Sequence, residues 1–333
     1  MPDLELPSWR AAPEDGQRTL EVIDAWAGST SLASIVSSFG GVVPTGGNAD
    51  RLAWLDGFAG AHWDFRRGRE RESIGQSGLT SAQTEAVFAG APVLGLSGRE
   101  SPSQGRYDTI IMTGGMVRAC IVKPRFAAEL LEAGLKCDNI LFLGGFRTFS
   151  REEAGLAAAL GMRAEDEFEA MVAGLELAFG PLGTPELVEG SGSMPFLSWR
   201  HLSWQLNGLP RLGVLAAPSS DPVHRRADSA DTYRFWAGQR MTHAERSVLQ
   251  VTTPIYVPYQ SAVAISILGL DHGAAVETVG VRAEANDLAE FTQQFRAEHC
   301  LQELRAAVGA MLSLRRRLVA AGAGSGATAV PDV

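Results

Sequence analysis

The chain has 333 residues, of which 45% are hydrophobic and 20% charged, and its formal net charge is -9. This composition is typical of a folded globular protein and indicates neither a disordered nor a membrane protein. The acidic balance argues against nucleic acid as a partner, because no basic surplus is available to displace counterions from a phosphate backbone.

Cysteine and histidine usage gives no sign of a disulfide framework or a metal site. The three cysteines are an odd number without close spacing, and the six histidines lack the spacing of metal ligands. We therefore expect a reducing, cytoplasmic compartment and no bound metal. No stretch reaches about 18 uninterrupted apolar residues, and the first 15 residues lack the apolar core of an export signal, so we expect no membrane association.

Residues 1–105 are predicted to form an N-terminal helical region. Apolar residues recur at helical spacing over 19–38 and 50–61, and Thr80 has the character of a helix cap. Residues 63–72 are dense in charges of both signs. Two interpretations of this segment stay open, a solvated, salt-bridged turn or an arm that reaches over a binding site.

From residue 106 to 283 the pattern changes to the alternation of strands and helices that βαβ units produce. Short apolar runs predict parallel strands at 109–113, 140–143, 212–217, 247–252 and 276–281. Between them we expect a helix that opens at Pro124, one capped by Ser150 with Glu153, and one over 166–179. The predicted fold class is α/β, a Rossmann-like three-layer parallel sheet with an N-terminal helical region and long C-terminal helices.

The segments around these units are less regular. Residues 180–210 are rich in glycine and proline and could be an irregular insertion or a lid. Long C-terminal helices are predicted over 284–320, followed by a disordered tail over 321–333. An apolar stripe on these helices could cover a core or support a homo-oligomer, and it comprises Leu301, Leu304, Val308, Met311 and Leu314.

In an open parallel sheet, ligands bind beyond the carboxyl ends of the strands. The first two strands are each followed by paired glycines and then by cationic residues, so the backbone could approach a ligand closely while the cations hold an anionic group. The glycine spacing matches neither a dinucleotide fingerprint nor a P-loop, and a structural tight turn is an equal alternative. The candidates are Gly114, Gly115, Arg118, Lys123, Gly144, Gly145 and Arg147.

The loops after the third and fourth strands carry acidic, basic and hydroxyl groups together. Asp228 or Ser229 could instead cap the following helix. Tyr256 and Tyr259, three residues apart, could face one pocket. The ligand-binding candidates in these loops are Ser219, Ser220, Arg225, Arg226, Thr232, Thr252, Thr253, Tyr256, Tyr259 and Gln260.

No complete catalytic constellation can be assembled from the sequence. There is no Gly-x-Ser-x-Gly elbow, which weakens a serine hydrolase hypothesis. Glu167 and Glu169 could be general bases, although such residues on an amphipathic helix more often face water. The catalytic candidates are Glu169, Asp221, His224 and Tyr256.

The order of these motifs resembles the YdcF/SanA/ElyC family over about residues 107–282. The shared features are the glycine loops at 113–115 and 143–145, the sequence Glu169-Ala170-Met171, the segment 228–232, and the paired threonines at 252–253. The resemblance implies a Rossmann-like fold and makes S-adenosylmethionine a possible ligand. Tyr256 and Tyr259 stand where the family usually has His and Arg, so chemistry that uses those two residues is not carried over.

Three functional hypotheses follow. The leading one is a soluble enzyme that acts on a small anionic or nucleotide-like molecule by transfer or hydrolysis at the carboxyl ends of the strands. The alternative is a noncatalytic protein that binds a nucleotide or S-adenosylmethionine. The third is a structural partner that self-associates through its C-terminal helix.

Overall fold

The computed structural model describes residues 4–65, 78–98, 101–242 and 245–325. The chain divides into two compact units. The helical unit comprises residues 1–98, 254–266 and 294–333, and the α/β unit comprises residues 99–253 and 267–293. The charged segment at 63–72 is described only as far as residue 65, and its remainder lies outside the described residues.

The described residues form ten α-helices and seven strands. The helices are α1 (Asp15–Ala27), α2 (Thr30–Ser38), α3 (Asn48–His62), α4 (Ser81–Val93), α5 (Val117–Glu132), α6 (Arg151–Ala159), α7 (Glu167–Phe179), α8 (Ser229–Gln239), α9 (Val257–Ala264) and α10 (Ala297–Ser325). The strands are β1 (Thr109–Thr113), β2 (Asn139–Gly144), β3 (Glu186–Gly190), β4 (Trp199–Trp204), β5 (Arg211–Ala216), β6 (Ser247–Thr252) and β7 (Ala275–Gly280).

The helical unit is built around α10, which packs against α3 and α9. The capping box predicted at Thr80 is present at the start of α4. The helix α10 continues to Ser325, so residues 321–325, which the sequence assigns to a disordered tail, are helical, and residues 326–333 lie outside the described residues. The apolar stripe of α10 is buried in this unit, since Leu301, Leu304, Val308, Met311 and Leu314 have no exposed surface.

The α/β unit contains a seven-stranded, mostly parallel sheet. Its strand order is β3-β4-β5-β2-β1-β6-β7. The five strands from β5 to β7 are parallel, and each corresponds within one residue at either end to a strand predicted from the sequence. Apolar side chains of these strands, such as Ile110, Phe142 and Val214, share a buried core with residues of α5 and α7.

Part of the segment 180–210 is regular structure and not an irregular insertion, while its interpretation as a lid stays a prediction. It contains β3 and β4, which form an antiparallel hairpin and extend the sheet beyond β5. Four of the five residues of β3 are exposed. Because the strand buries neither face, its sequence lacks the alternation of apolar and polar residues from which a half-buried strand is predicted.

The helix predicted to open at Pro124 begins seven residues earlier, at Val117, and contains Pro124 in its interior. Proline has no backbone N–H, so the carbonyl of Cys120 lacks the hydrogen bond that residue 124 would otherwise donate to it. That carbonyl oxygen lies against Gly174 of α7, where any Cβ would overlap it. The close crossing of α5 and α7 therefore depends on a proline in one helix and a glycine in the other.

Candidate functional site

The loops that follow β1, β2 and β5 meet at the carboxyl end of the sheet. The backbone N–H of Gly114 donates to the carbonyl of Leu143, and that of Ala217 donates to the carbonyl of Gly144 at 2.9 Å. Arg147 Nη2 donates to the carbonyl of Gly115 at 3.1 Å. The parallel arrangement of the strands explains this convergence, because their carboxyl ends share one edge.

A buried carboxylate, that of Glu167, lies at the centre of this edge. Glu167 is the first residue of α7, whose N-terminus is capped by Asp166. A Cβ on Gly114 would overlap Oε1 of Glu167, and a Cβ on Gly144 would lie 2.7 Å from the same oxygen. The two glycines therefore make room for Glu167, and burial raises the pKa of this carboxyl.

Arg147 is bound by two carboxylates of the protein itself. Its guanidinium contacts both oxygens of Glu153 at 2.6 and 2.7 Å and Oε2 of Glu167 at 3.0 Å. Glu153 also accepts a hydrogen bond from the backbone N–H of Val117 at the start of α5. The cluster of Arg147, Glu153 and Glu167 thus ties the second glycine loop to α5, α6 and α7.

The two cationic candidates of the first loop contact backbone carbonyls. The ammonium group of Lys123 is buried and donates to the carbonyl of Gly114 at 3.3 Å and to Oγ1 of Thr113 at 3.1 Å. The guanidinium of Arg118 donates to the carbonyl of Phe291. These contacts hold the β1–α5 loop in place.

The loop after β5 presents an acid–histidine pair to solvent. The Nδ1 atom of His224 lies 2.8 Å from Oδ1 of Asp221, and both side chains are exposed. The hydroxyl of Ser219 accepts a hydrogen bond from the backbone N–H of Asp221 at 3.0 Å. Arg225 donates to the hydroxyl of Ser220 at 2.8 Å.

The same loop leads into α8 through a reciprocal cap. Asp228 accepts from the backbone N–H of Asp231, while the carboxylate of Asp231 accepts from the backbone N–H of Asp228. The structure therefore favours the capping interpretation of Asp228. Arg225 pairs with Asp231, and Thr232 donates to the carbonyl of Ser229 at 2.9 Å.

The candidates of the fourth loop divide between the two units. Thr252 ends β6, where its hydroxyl lies 3.4 Å from that of Thr113, and Thr253 is buried beside it. The boundary between the units falls after Thr253. The remaining three candidates, Tyr256, Tyr259 and Gln260, belong to the helical unit at the start of α9.

Two acidic residues of the site were missed or underweighted by sequence reasoning. Glu169, the catalytic candidate on α7, is exposed and accepts a hydrogen bond from the backbone N–H of Glu165 at 2.8 Å. Glu167, two positions earlier, is the buried acid. Glu153 follows Ser150 by three residues and so fits a capping box, which concealed its contacts with Arg147.

The described residues contain no group of three or more histidine, cysteine, aspartate or glutamate side chains arranged to hold a metal ion. Among the helices that the structure describes, including the 29-residue α10, none combines the length and the apolar character needed to span a bilayer.

Comparison with known proteins places the chain in a family. Residues 10–95 match the family model described as the Rv3785 N-terminal domain. The chain is 30% identical over 327 residues to the proteins named "Uncharacterized protein Rv3785" from Mycobacterium tuberculosis and "Uncharacterized protein Mb3814" from Mycobacterium bovis, with 90% of each chain covered. No solved structure matches the chain. The chain therefore belongs to the Rv3785 family.

Proposed function

We propose that the chain is an enzyme that acts on a small anionic or nucleotide-like molecule at the carboxyl end of its sheet, by transfer or hydrolysis. The observation that carries this proposal is Glu167. It is a buried carboxyl with a raised pKa, located where three strand-end loops meet. Perturbed carboxyls in such positions are characteristic of acid–base sites, because burial brings the pKa closer to the pH at which a proton is exchanged.

The proposal includes a Rossmann-like arrangement of the α/β unit. Numbered by their order along the chain, the five parallel strands run 3-2-1-4-5 across the sheet, which matches five of the six strands of the doubly wound order 3-2-1-4-5-6. Helices α5 and α7 pack with Ile110 and Phe142 on one face of the sheet. Helix α8 lies on the opposite face, where Tyr233 is hydrogen-bonded to Gln250 of β6. The residues on either side of Gln250 point to the first face, because side chains alternate along a strand. The strand order reverses between β1 and β6, and ligands of such sheets bind at this switch point.

In this reading, Glu167 exchanges a proton with the substrate and Arg147 limits how far its pKa rises. The pair formed by Asp221 and His224 would supply a second, exposed acid–base group at the same end of the sheet. The resemblance to the YdcF/SanA/ElyC family supports the choice of a nucleotide-like substrate. It also allows S-adenosylmethionine, a sulfonium cation, whose charge Glu167 and Asp221 could balance.

A noncatalytic binding protein is the second candidate, and the Arg147 cluster favours it. Both of its carboxylates are paired with Arg147, so the cluster resembles a rigid support more than a reactive centre. Self-association through α10 is a weaker proposal, because the five residues of its apolar stripe are buried in the helical unit. We keep a cytoplasmic location as part of the proposal, since Cys120, Cys137 and Cys300 are all free thiols.

A matched pair of substitutions on α7 tests the proposal. Thermal-shift measurements with S-adenosylmethionine, nucleoside phosphates and phosphorylated sugars would identify a stabilising ligand, which at 100 times its Kd should add about 2.7 kcal/mol to the free energy of unfolding. Mass spectrometry would then follow its conversion. We expect Glu167→Gln to reduce conversion at least about 100-fold, as for loss of a general acid or base. Glu169→Gln, at the exposed position on the same helix, should leave conversion unchanged.

The outcomes separate the candidates. Binding without conversion by the unmodified protein would support the noncatalytic alternative and contradict the enzyme. Equal loss of conversion in the two variants would show that Glu167 has no special role. A panel without any stabilising ligand would contradict both candidates.

A further inference from the structure

A second candidate site lies at the amino end of the same sheet. A cavity of about 250 Å³ opens there, on the side of the sheet that carries α8. Three of its lining residues, Thr109, Asn139 and Arg211, are the first residues of β1, β2 and β5. The cavity is therefore at the opposite end of these strands from the loops that contain Glu167.

The walls of the cavity divide into an apolar part and a polar part. Leu141, Val188 and Trp236 supply apolar surface. Cavities that bind small molecules commonly combine such surface with a few oriented polar groups. At about 30 Å³ for each water molecule, the volume equals that of about eight waters, which suits a small organic molecule.

Arg240 is the polar group that distinguishes this cavity. Its Nε atom is buried and, within the described part of the chain, has no hydrogen-bond partner. Its guanidinium stacks over the ring of Trp199 at 4.9 Å, a contact that fixes the planar group but satisfies none of its donors. A buried donor without an acceptor is costly, so this position favours a ligand that brings one.

The charges around Arg240 make an anion the best match. Arg211 lines the same cavity, where it pairs with Glu186 and donates to Ser203. His201 also lines the cavity, and burial and the positive charges of Arg240 and Arg211 lower its pKa to about 4, with Glu186 acting in the opposite direction. His201 is thus neutral near pH 7.

Both acidic residues that line the cavity are engaged in contacts with the protein, Glu186 with Arg211 and Glu245 with three other groups. Glu245 accepts hydrogen bonds from the hydroxyl of Thr109, from Asn139 and from the backbone N–H of Thr242. Two of these partners are the first residues of β1 and β2. The carboxylates of the cavity are therefore engaged, whereas the Nε donor of Arg240 has no acceptor among the described residues.

We propose that this cavity binds a small amphipathic carboxylate, with its anionic group on Arg240 and its hydrocarbon part against Trp236 and Leu141. A carboxylate matches the planar guanidinium through two parallel hydrogen bonds. The apolar walls would contact the remainder of the molecule. The site is independent of the function proposed for the carboxyl end of the sheet, and it is tested without an enzyme assay.

The test compares carboxylates with neutral molecules of the same shape. The full chain, labelled with ¹⁵N, would be titrated with benzoate and hexanoate, and in parallel with benzamide and hexanamide. We expect saturable shifts of the indole signal of Trp236 with at least one carboxylate, and at least about tenfold weaker binding of its amide. Amides that bind as tightly as the acids would overturn the proposal, as would the absence of saturation by either acid up to about 20 mM.

Two arginines of the same helical region provide the matched variants. Arg240→Gln should weaken carboxylate binding at least about tenfold, while Arg240→Lys, which keeps the charge, should recover part of it. Arg234→Gln removes an exposed arginine of α8 outside the cavity and should change nothing. Circular dichroism would verify that each variant is folded. Unchanged binding in a folded Arg240→Gln protein would overturn the assignment of Arg240.

Discussion

The two ends of the sheet use arginine in opposite ways. At the carboxyl end, Arg147 is held by Glu153 and Glu167 at 2.6 to 3.0 Å, so its charge is neutralised within the protein. At the amino end, the Nε atom of Arg240 is buried without a hydrogen-bond partner among the described residues, and its guanidinium faces an aromatic ring. A cation near a strand end is therefore not always available to a ligand, because carboxylates of the protein can neutralise it.

The largest effect that we expect is a difference in stability between the variants in which these two arginines are replaced. Arg147→Met would leave Glu153 and Glu167 buried without their cation and should cost about 3–5 kcal/mol in the free energy of unfolding. Among the described residues, Arg240 has a cation–π contact with Trp199 and no ion pair, so Arg240→Met should cost about 1 kcal/mol or less. Urea denaturation of the two variants measures both values. Equal losses would mean that Arg240 has a structural partner after all and would remove the contrast between the two ends.

The next effect concerns the glycines at the carboxyl end. Gly114→Ala would force a Cβ against Oε1 of Glu167 and within 3.1 Å of the backbone of Gly144, and we expect a loss of about 2–3 kcal/mol. Gly115→Ala is the matched control, because its Cβ would meet only the methyl group of Ala119 at 3.2 Å. It should cost less than about 1 kcal/mol.

A second substitution shows whether Glu167 is the cause of that loss. In a Glu167→Ala background the carboxylate is absent, so Gly114→Ala should cost at least about 1 kcal/mol less than in the unmodified protein. Thermal or urea denaturation of the four proteins completes this cycle. Identical costs in both backgrounds would show that the glycine is required by the backbone of Gly144 and not by Glu167.

The sequence predicted the parallel core of the sheet because its signal is local. Buried parallel strands are short apolar runs, and all five were located, with β1 and β6 at their observed bounds. The hairpin of β3 and β4 could not be located in this way. Its first strand, Glu186–Gly190, is largely exposed and depends on pairing with Trp199–Trp204 across the irregular loop 191–198, which carries no signal of a tight hairpin turn.

The candidate site could also be predicted only in part from the sequence. The sequence predicted that Gly114, Gly144 and Arg147 would come together, and the structure brings them together. The sequence could not distinguish Glu167, which fills the space next to these glycines, from the exposed Glu169 two positions later, because both are glutamates at the start of the same helix. Similarly, Arg240 follows α8 without any motif, and only the packing of Trp199 and the adjacent cavity gives it significance.

The smallest effect that we expect is a pH dependence at the amino end. An unfolded histidine titrates near about pH 6.5, whereas burial and the charges of Arg240 and Arg211 hold the pKa of His201 at about 4 in the folded protein. Protonation below about pH 6.5 therefore favours the unfolded chain. The stability contributed by a neutral His201 is fully present above that pH and is lost as the pH falls towards 4.

His201→Gln removes this titration without a charge change at neutral pH. The stability difference between the unmodified protein and the variant should shift by about 1–2 kcal/mol from pH 7 to pH 4, since partial exposure of the ring reduces the full linkage effect. Arg240→Gln should raise the pKa of His201 and make this shift smaller, because it removes one of the two cations that oppose protonation. If the shift is the same with and without Arg240, the guanidinium does not act on His201. The positive charge that lowers the pKa of His201 would then come from Arg211 alone, which is already paired with Glu186.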